Sequence, residues 1–264
     1  MNTRWYILAL ALLLTSFIAQ SNEKVVSVAT LGDYPPFCFI NHENNAPIMT
    51  TLPPGSDVSF FTGYSWDVLR ESFHIMGYTI QLTVTPWPRA VKYVEIGKVD
   101  ILFPAGKNSE RLKVFDYSKE SINEAKFLVY VTKDNPIQWT GLESFNNLVV
   151  GIKRGFNYGD KWEAAHQIKR HEVSNIMNGF LMLDNKRISG FLGYEFNWDY
   201  LLKQHGWNKK YRKLPSFDSS REYLVSLKTN PLGPKLLSDF DKGKQILIKS
   251  GRLKEIQQQW FGSE

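Results

Sequence analysis

The chain has 264 residues, with 32 basic and 26 acidic side chains, a net charge of +6 and a single cysteine, Cys38. One cysteine excludes an internal disulfide, and a mild basic excess without long blocks of Lys or Arg excludes a nucleic-acid-binding tail. The charge reads as a diffuse surface property with a slight preference for anionic ligands.

Arg4 followed by the apolar stretch Trp5 to Leu14, extended weakly through Phe17, Ile18 and Ala19, has the shape of a secretory signal peptide. Small side chains at Ala19 and Ser21 place the expected cut after Ser21, and the run is shorter than the roughly 20 apolar residues that cross a bilayer. Cleavage removes Arg4 alone among the charged residues, and no cysteine follows the apolar run to carry a lipid. The expected product is a soluble secreted protein of about 240 residues, enough for one large α/β unit or two lobes.

Val25, Val26, Val28 and Ala29 predict a buried strand, stopped by Gly32 and the turn Tyr34-Pro35-Pro36-Phe37. Asn41 to Phe61, with Pro47, Pro53, Pro54 and Gly55, shows neither period and predicts a long surface loop. A helix follows, entered at Gly63-Tyr64-Ser65-Trp66-Asp67, with Leu69, Phe73 and Met76 on one face and Gly77 at its end. Thr79 to Val84 predicts a second strand. Trp87-Pro88 starts a helix with proline in its tolerated first turn, and Val99 to Phe103 predicts a third strand. Strand, helix, strand, helix, strand is the pattern of a parallel α/β layer, whose ligands bind beyond the carboxyl ends of the strands.

The pattern restarts further on. Phe127 to Thr132 and Leu148 to Ile152 predict strands, Gly155 a turn, and Trp162, Ala165 and Ile168 one face of a helix. Ile176, Phe180 and Leu183 mark a helix, Ile188 to Leu192 a strand, Trp198 to Lys203 a helix ending at Gly206, and Tyr223 to Leu227 a strand. The remainder, from Pro234 to Gly251 and from Leu253 to Trp260, is helical.

In this order the segments resemble the bacterial extracellular solute-binding proteins of family 3, the polar amino acid receptors of ABC importers. Seven pieces carry the resemblance: Tyr34-Pro35-Pro36-Phe37; Gly63-Tyr64 with Asp67; Trp87 with Gly97-Lys98-Val99-Asp100; Ser109-Glu110-Arg111 with Phe115-Asp116-Tyr117-Ser118; Val150-Gly151-Ile152 with Gly155; Lys186-Arg187-Ile188; and Trp260-Phe261-Gly262. The resemblance implies an α/β, type II periplasmic-binding-protein fold. Two α/β lobes, 22–124 plus 221–264 and 125–220, would be joined by a two-strand hinge with crossings near Ile122 to Lys126 and Ser219 to Tyr223. It also implies capture of a small polar carboxylate, an amino acid or a relative, by a monomer that closes over it and presents itself to the permease of an importer.

By the same resemblance Arg111 is the residue whose planar guanidinium would pair with the ligand carboxylate, and Gly106 in the same loop offers backbone contact. The alternative is an ordinary surface arginine, since Lys107, Glu110 and Lys113 make this a charged loop. Tyr34 and Trp87 match aromatic contact positions, and Arg89 reaches either the cleft or solvent. Gly155, Phe156 and Asn157 precede the helix carrying Trp162, so their amides are expected to face an anion at a helix amino terminus. The chain departs from the family at the end of Ile188-Ser189-Gly190-Phe191-Leu192-Gly193-Tyr194-Glu195: Tyr194 stands where an aspartate normally receives the ligand ammonium. Either Glu195 substitutes from the adjacent position, or the ligand lacks that ammonium. Leu31, where receptors for cationic amino acids carry an acid, argues against a lysine- or arginine-like ligand.

Two other classes compete. Some relatives are cyclohexadienyl dehydratase-like enzymes with a cleft acid, for which Glu195 is the candidate. The chain shows no nucleophile elbow or phosphate loop, and its five histidines lack metal-ligand spacing, so no catalytic activity, metal or cofactor is expected. The other class is a ligand-binding sensor that addresses a membrane signalling partner, which the same fold serves equally well.

Overall fold

The computed structural model describes residues 24–41 and 49–261. The expected signal peptide and cleavage point lie outside the described residues. The first strand, β1 (Lys24–Thr30), pairs in parallel with β6 (Tyr78–Val84) along its whole length, and with β7 (Ile101–Gly106) on its other side. Between β1 and β6 lie the short strands β2 (Asp33–Tyr34), β3 (Cys38–Ile40), β4 (Met49–Leu52) and β5 (Phe61–Thr62), then α1 (Tyr64–Ile75). The helix follows from Leu69 and Phe73, which are fully buried, and it stops before Gly77, whose φ of 78° suits a residue without a side chain. Between β6 and β7, α2 (Trp87–Glu95) buries Trp87, Ala90 and Val94 and leaves Arg89 exposed.

The sequence expectation of a loop throughout 41–61 needs correcting. Within it, β4 adds antiparallel to β6 at the sheet edge, from Met49 opposite Thr83 to Leu52 opposite Ile80. An edge strand half open to water has no need of alternation, and only Leu52 of the four residues is buried.

A second parallel group consists of β9 (Val149–Lys153), β10 (Lys169–Val173) and β11 (Gly190–Tyr194). Its helices are α4 (Gly159–Ala164), α5 (Ile176–Asp184) and α6 (Glu195–Gln204). Here too the expectation is corrected. The helix through Trp162 ends at Ala164, so Ala165 and Ile168 lie beyond it, and the polar run Lys169–Val173 forms the edge strand β10.

Two long strands join the groups. The first, β8 (Phe115–Thr132), follows α3 (Ser109–Val114) and pairs antiparallel with the second, β13 (Asp218–Leu227). The strand β12 (Tyr211–Lys213) pairs with β8 off the main path, and the order across the sheet is β10-β9-β11-β8-β13-β7-β1-β6-β4. The expected crossings at 122–126 and 219–223 therefore fall on neighbouring strands in the middle of one sheet. The chain finishes in α7 (Gly233–Ser250) and α8 (Arg252–Phe261), which pack beside α1; Phe240 of α7 meets Phe73 of α1 at 6.1 Å between ring centres.

Candidate functional site

Parallel strands in an α/β sheet open their loops at the carboxyl ends. In this molecule the carboxyl ends of both groups meet. Leu31 follows β1 and Tyr34 lies in β2, Trp87 opens α2 after β6, and Pro104 lies in β7 with Arg111 in α3 beyond it. From the other side Phe156 and Asn157 follow β9 and Tyr194 ends β11, while Glu222 lies on the crossing strand β13; together these nine line one cavity. Its free volume is about 10 Å³, room for a single water.

Aromatic rings occupy most of the space. Phe156 lies 5.0 Å from Tyr194 and 5.9 Å from Tyr34, and Tyr34 lies 5.7 Å from Tyr194, centre to centre. Polar bonds draw the two groups together. The Asn157 amide donates to the Lys107 carbonyl at 2.9 Å, the Asn197 amide to the Pro35 carbonyl at 2.6 Å, and the Lys153 ammonium pairs with Asp33 at 2.6 Å.

Arg111 enters the cavity from α3, whose amino end is fixed by the Asn108 side chain accepting from the Arg111 amide at 2.7 Å. Its Nη1 donates to the Gly106 carbonyl at 3.1 Å and its Nη2 to the Gly155 carbonyl at 3.4 Å, and the guanidinium lies 5.6 Å from the Trp87 ring centre. No carboxylate among the described residues lies within 4.0 Å of it. A guanidinium carries five N–H donors, so most of its capacity is left for a guest.

The structure thus brings Tyr34, Trp87, Arg111, Phe156, Asn157 and Tyr194 together, with Gly106 supporting Arg111 through its carbonyl. It does not bring Glu195. That carboxylate lies at the start of α6 and accepts from Lys213 at 2.7 Å, a lysine that also binds Asp199. Held by Lys213, Glu195 is absent from the cavity lining, whereas Tyr194 is part of it. Of the amides at 155–157, only that of Phe156 has an internal partner among the described residues. The Phe156 amide is used in a turn to the Lys153 carbonyl at 3.2 Å, Gly155 turns its carbonyl to Arg111, and the helix beyond has only six residues.

Glu222 is the cavity residue that reading the sequence missed. It is 4 % exposed and sits opposite Gly106 on one side and Asn123 on the other. Its Oε2 accepts from the Tyr34 hydroxyl at 2.9 Å and from the Asn123 amide at 2.5 Å. Burial pushes its carboxyl up to about 7, against the opposing pull of those two hydrogen bonds and of the Arg111 charge. Burial likewise holds the Tyr34 and Tyr194 phenols well above their ordinary range.

Two parallel α/β groups joined by paired crossing strands, with a cavity at their facing carboxyl ends, define a type II periplasmic-binding fold. The chain belongs to the bacterial extracellular solute-binding proteins, family 3, whose profile matches residues 26–263. Solved structures agree on the fold. One is an ABC uptake transporter substrate-binding protein from Streptococcus pneumoniae with bound histidine (TM-score 0.74, 17 % identity, 90 % of this chain and 93 % of that one). Another is a histidine kinase sensor domain with similarity to periplasmic binding proteins (0.75, 18 %, 92 % and 98 %). A third is an ancestral amino acid-binding protein described as a precursor of cyclohexadienyl dehydratase (0.68, 19 %, 90 % and 95 %). No curated protein matches the chain in sequence.

Proposed function

We propose that the protein is a periplasmic receptor that captures a small carboxylate, an amino acid or close relative, and delivers it as a closed monomer to an ABC importer. The observation that carries this reading is Arg111: a half-buried guanidinium lining a small cavity between two α/β groups, without a carboxylate partner among the described residues. In this reading residues 1–21 direct export, lobe 1 comprises 22–124 and 221–264, lobe 2 comprises 125–220, and β8 and β13 bend between them. A cavity of about 10 Å³ admits no amino acid as it stands. Loading therefore requires the lobes to part and the Phe156 and Tyr194 rings to shift, and closure then buries the ligand.

The test is calorimetry of wild type and Arg111→Ala against the common α-amino acids and their α-hydroxy counterparts. Loss of a bidentate charge-assisted pair is expected to weaken binding by at least ~2 kcal/mol, about thirtyfold. Unchanged affinity in the variant overturns the assignment. A sensor role is the second reading, supported by the likeness to the histidine kinase sensor domain. Co-purification with a permease rather than a kinase separates the two. A dehydratase-like role receives no support from Glu195, the acid expected for it, which is held on Lys213.

A further inference from the structure

The walls of the cavity leave few polar groups free to meet a ligand. The Tyr194 hydroxyl donates to the Asn157 carbonyl at 2.6 Å, the Tyr34 hydroxyl to Glu222, and the Asn157 amide to Lys107. Asn157 Oδ1 accepts from the Gly159 amide. Leu31, Trp87, Pro104 and Phe156 supply apolar surface. Among the charged side chains of the lining, what remains is the unused part of the Arg111 guanidinium and one oxygen of Glu222. Both hydrogen bonds to that carboxylate land on Oε2, and Oε1 has no donor among the described residues.

The cavity therefore combines one cation from α3 and one carboxylate from β13. We propose that Glu222 is the acceptor for a ligand ammonium, so that the cavity holds a small zwitterion with its carboxylate on Arg111 and its ammonium on Glu222 Oε1. This rests on the receptor reading above and names the ligand class for the same site. A buried charge is costly unless paired, and a zwitterion pairs both at once without changing the net charge of the cavity. The arrangement also accounts for Tyr194. Its hydroxyl is committed to Asn157 and its ring packs 5.1 Å from Phe127, so this position can be aromatic because the negative charge is supplied by β13, the crossing strand beyond β8.

The idea has a proton signature. At neutral pH part of the Glu222 population is protonated, and an arriving ammonium favours the ionised form, so binding releases protons. The groups facing this carboxyl are Tyr34 and Asn123 by hydrogen bond, and Arg111, Tyr194 and Cys38 through their charge. The two phenols and the thiol are pushed upward by burial and stay neutral in this range, so among these groups the Glu222 carboxyl is the one that titrates.

The experiment is calorimetry of the protein with the common α-amino acids and, for each that binds, the α-hydroxy acid bearing the same side chain, such as lactate for alanine. Titrations near pH 6.5 are repeated in buffers of different ionisation heat to count protons. Wild type is expected to prefer the amino acid by at least about tenfold and to release a fraction of a proton on binding it. Glu222→Gln is expected to lose both the preference for the amino acid over its α-hydroxy counterpart and the proton release. Equal affinity for the two classes in wild type, or a preference that survives in Glu222→Gln, overturns the proposal. If hydroxy acids alone bind, only the Glu222 assignment falls; if neither class binds, the receptor reading falls with it. The proton count in wild type decides the matter even if Glu222→Gln fails to fold, because binding without release near pH 6.5 is also incompatible with the assignment.

Discussion

Replacing Glu222 by glutamine changes how the stability of the free protein responds to pH. The carboxyl titrates at about 7 in the folded chain against a reference value of 4.5, because burial penalises its charge. The folded state thus binds the proton more tightly than the unfolded state. Stability rises as pH falls through about 7 and stops rising below about 4.5, where the unfolded chain protonates as well. The full gap corresponds to about 3 kcal/mol, of which roughly 2 kcal/mol develops between pH 8.5 and 5.5. Urea denaturation of wild type and Glu222→Gln across that interval reads it directly. The difference between the two proteins cancels the histidines, including His74, whose pKa burial lowers. Wild type should gain about 2 kcal/mol relative to the variant on going to the lower pH. Parallel stability profiles would refute the burial argument and show that water reaches this carboxylate.

Glu195→Gln should leave ligand binding unchanged and cost under about 1 kcal/mol, since it removes one partly exposed ion pair and Lys213 keeps Asp199; calorimetry and a thermal melt check both. Gly63→Ala should destabilise by more than ~1 kcal/mol, because φ is 137° there and an added Cβ would lie 2.3 Å from the Phe37 carbonyl oxygen; urea titration measures it. Lys153→Met should weaken the closed form by removing the ion pair with Asp33, and small-angle scattering of the free protein should show a larger radius of gyration than wild type.

The strand and helix order was legible because core-facing residues such as Val26, Leu69, Phe73 and Phe180 carry the apolar periodicity of their elements. The edges were not. Of Lys169–Val173 only Val173 is buried, and of Met49–Leu52 only Leu52, so neither strand shows a pattern that distinguishes it from a loop. The same division runs through the site. Arg111, Tyr34, Trp87, Phe156, Asn157 and Tyr194 lie just after or at the ends of recognisable strands, where both the α/β rule and the family resemblance look for contacts. Glu222 lies inside a strand whose first half, Asp218 to Arg221, is polar, and a glutamate beside Arg221 reads as solvated. What buries it comes from far along the chain: Tyr34 is 188 residues away and Asn123 is 99. Only its place on the predicted crossing, in the middle of the sheet, could have marked it.

The ladder between β8 and β13 slips register between Glu222 and Tyr223, and again before Val225. Such irregularities concentrate bending and twist. The carboxylate in the pocket thus stands beside a break in that ladder, and under the proposed ligand mode a guest held by Glu222 would load the two crossing strands directly, turning occupancy into a change of curvature at the outer surfaces of both halves.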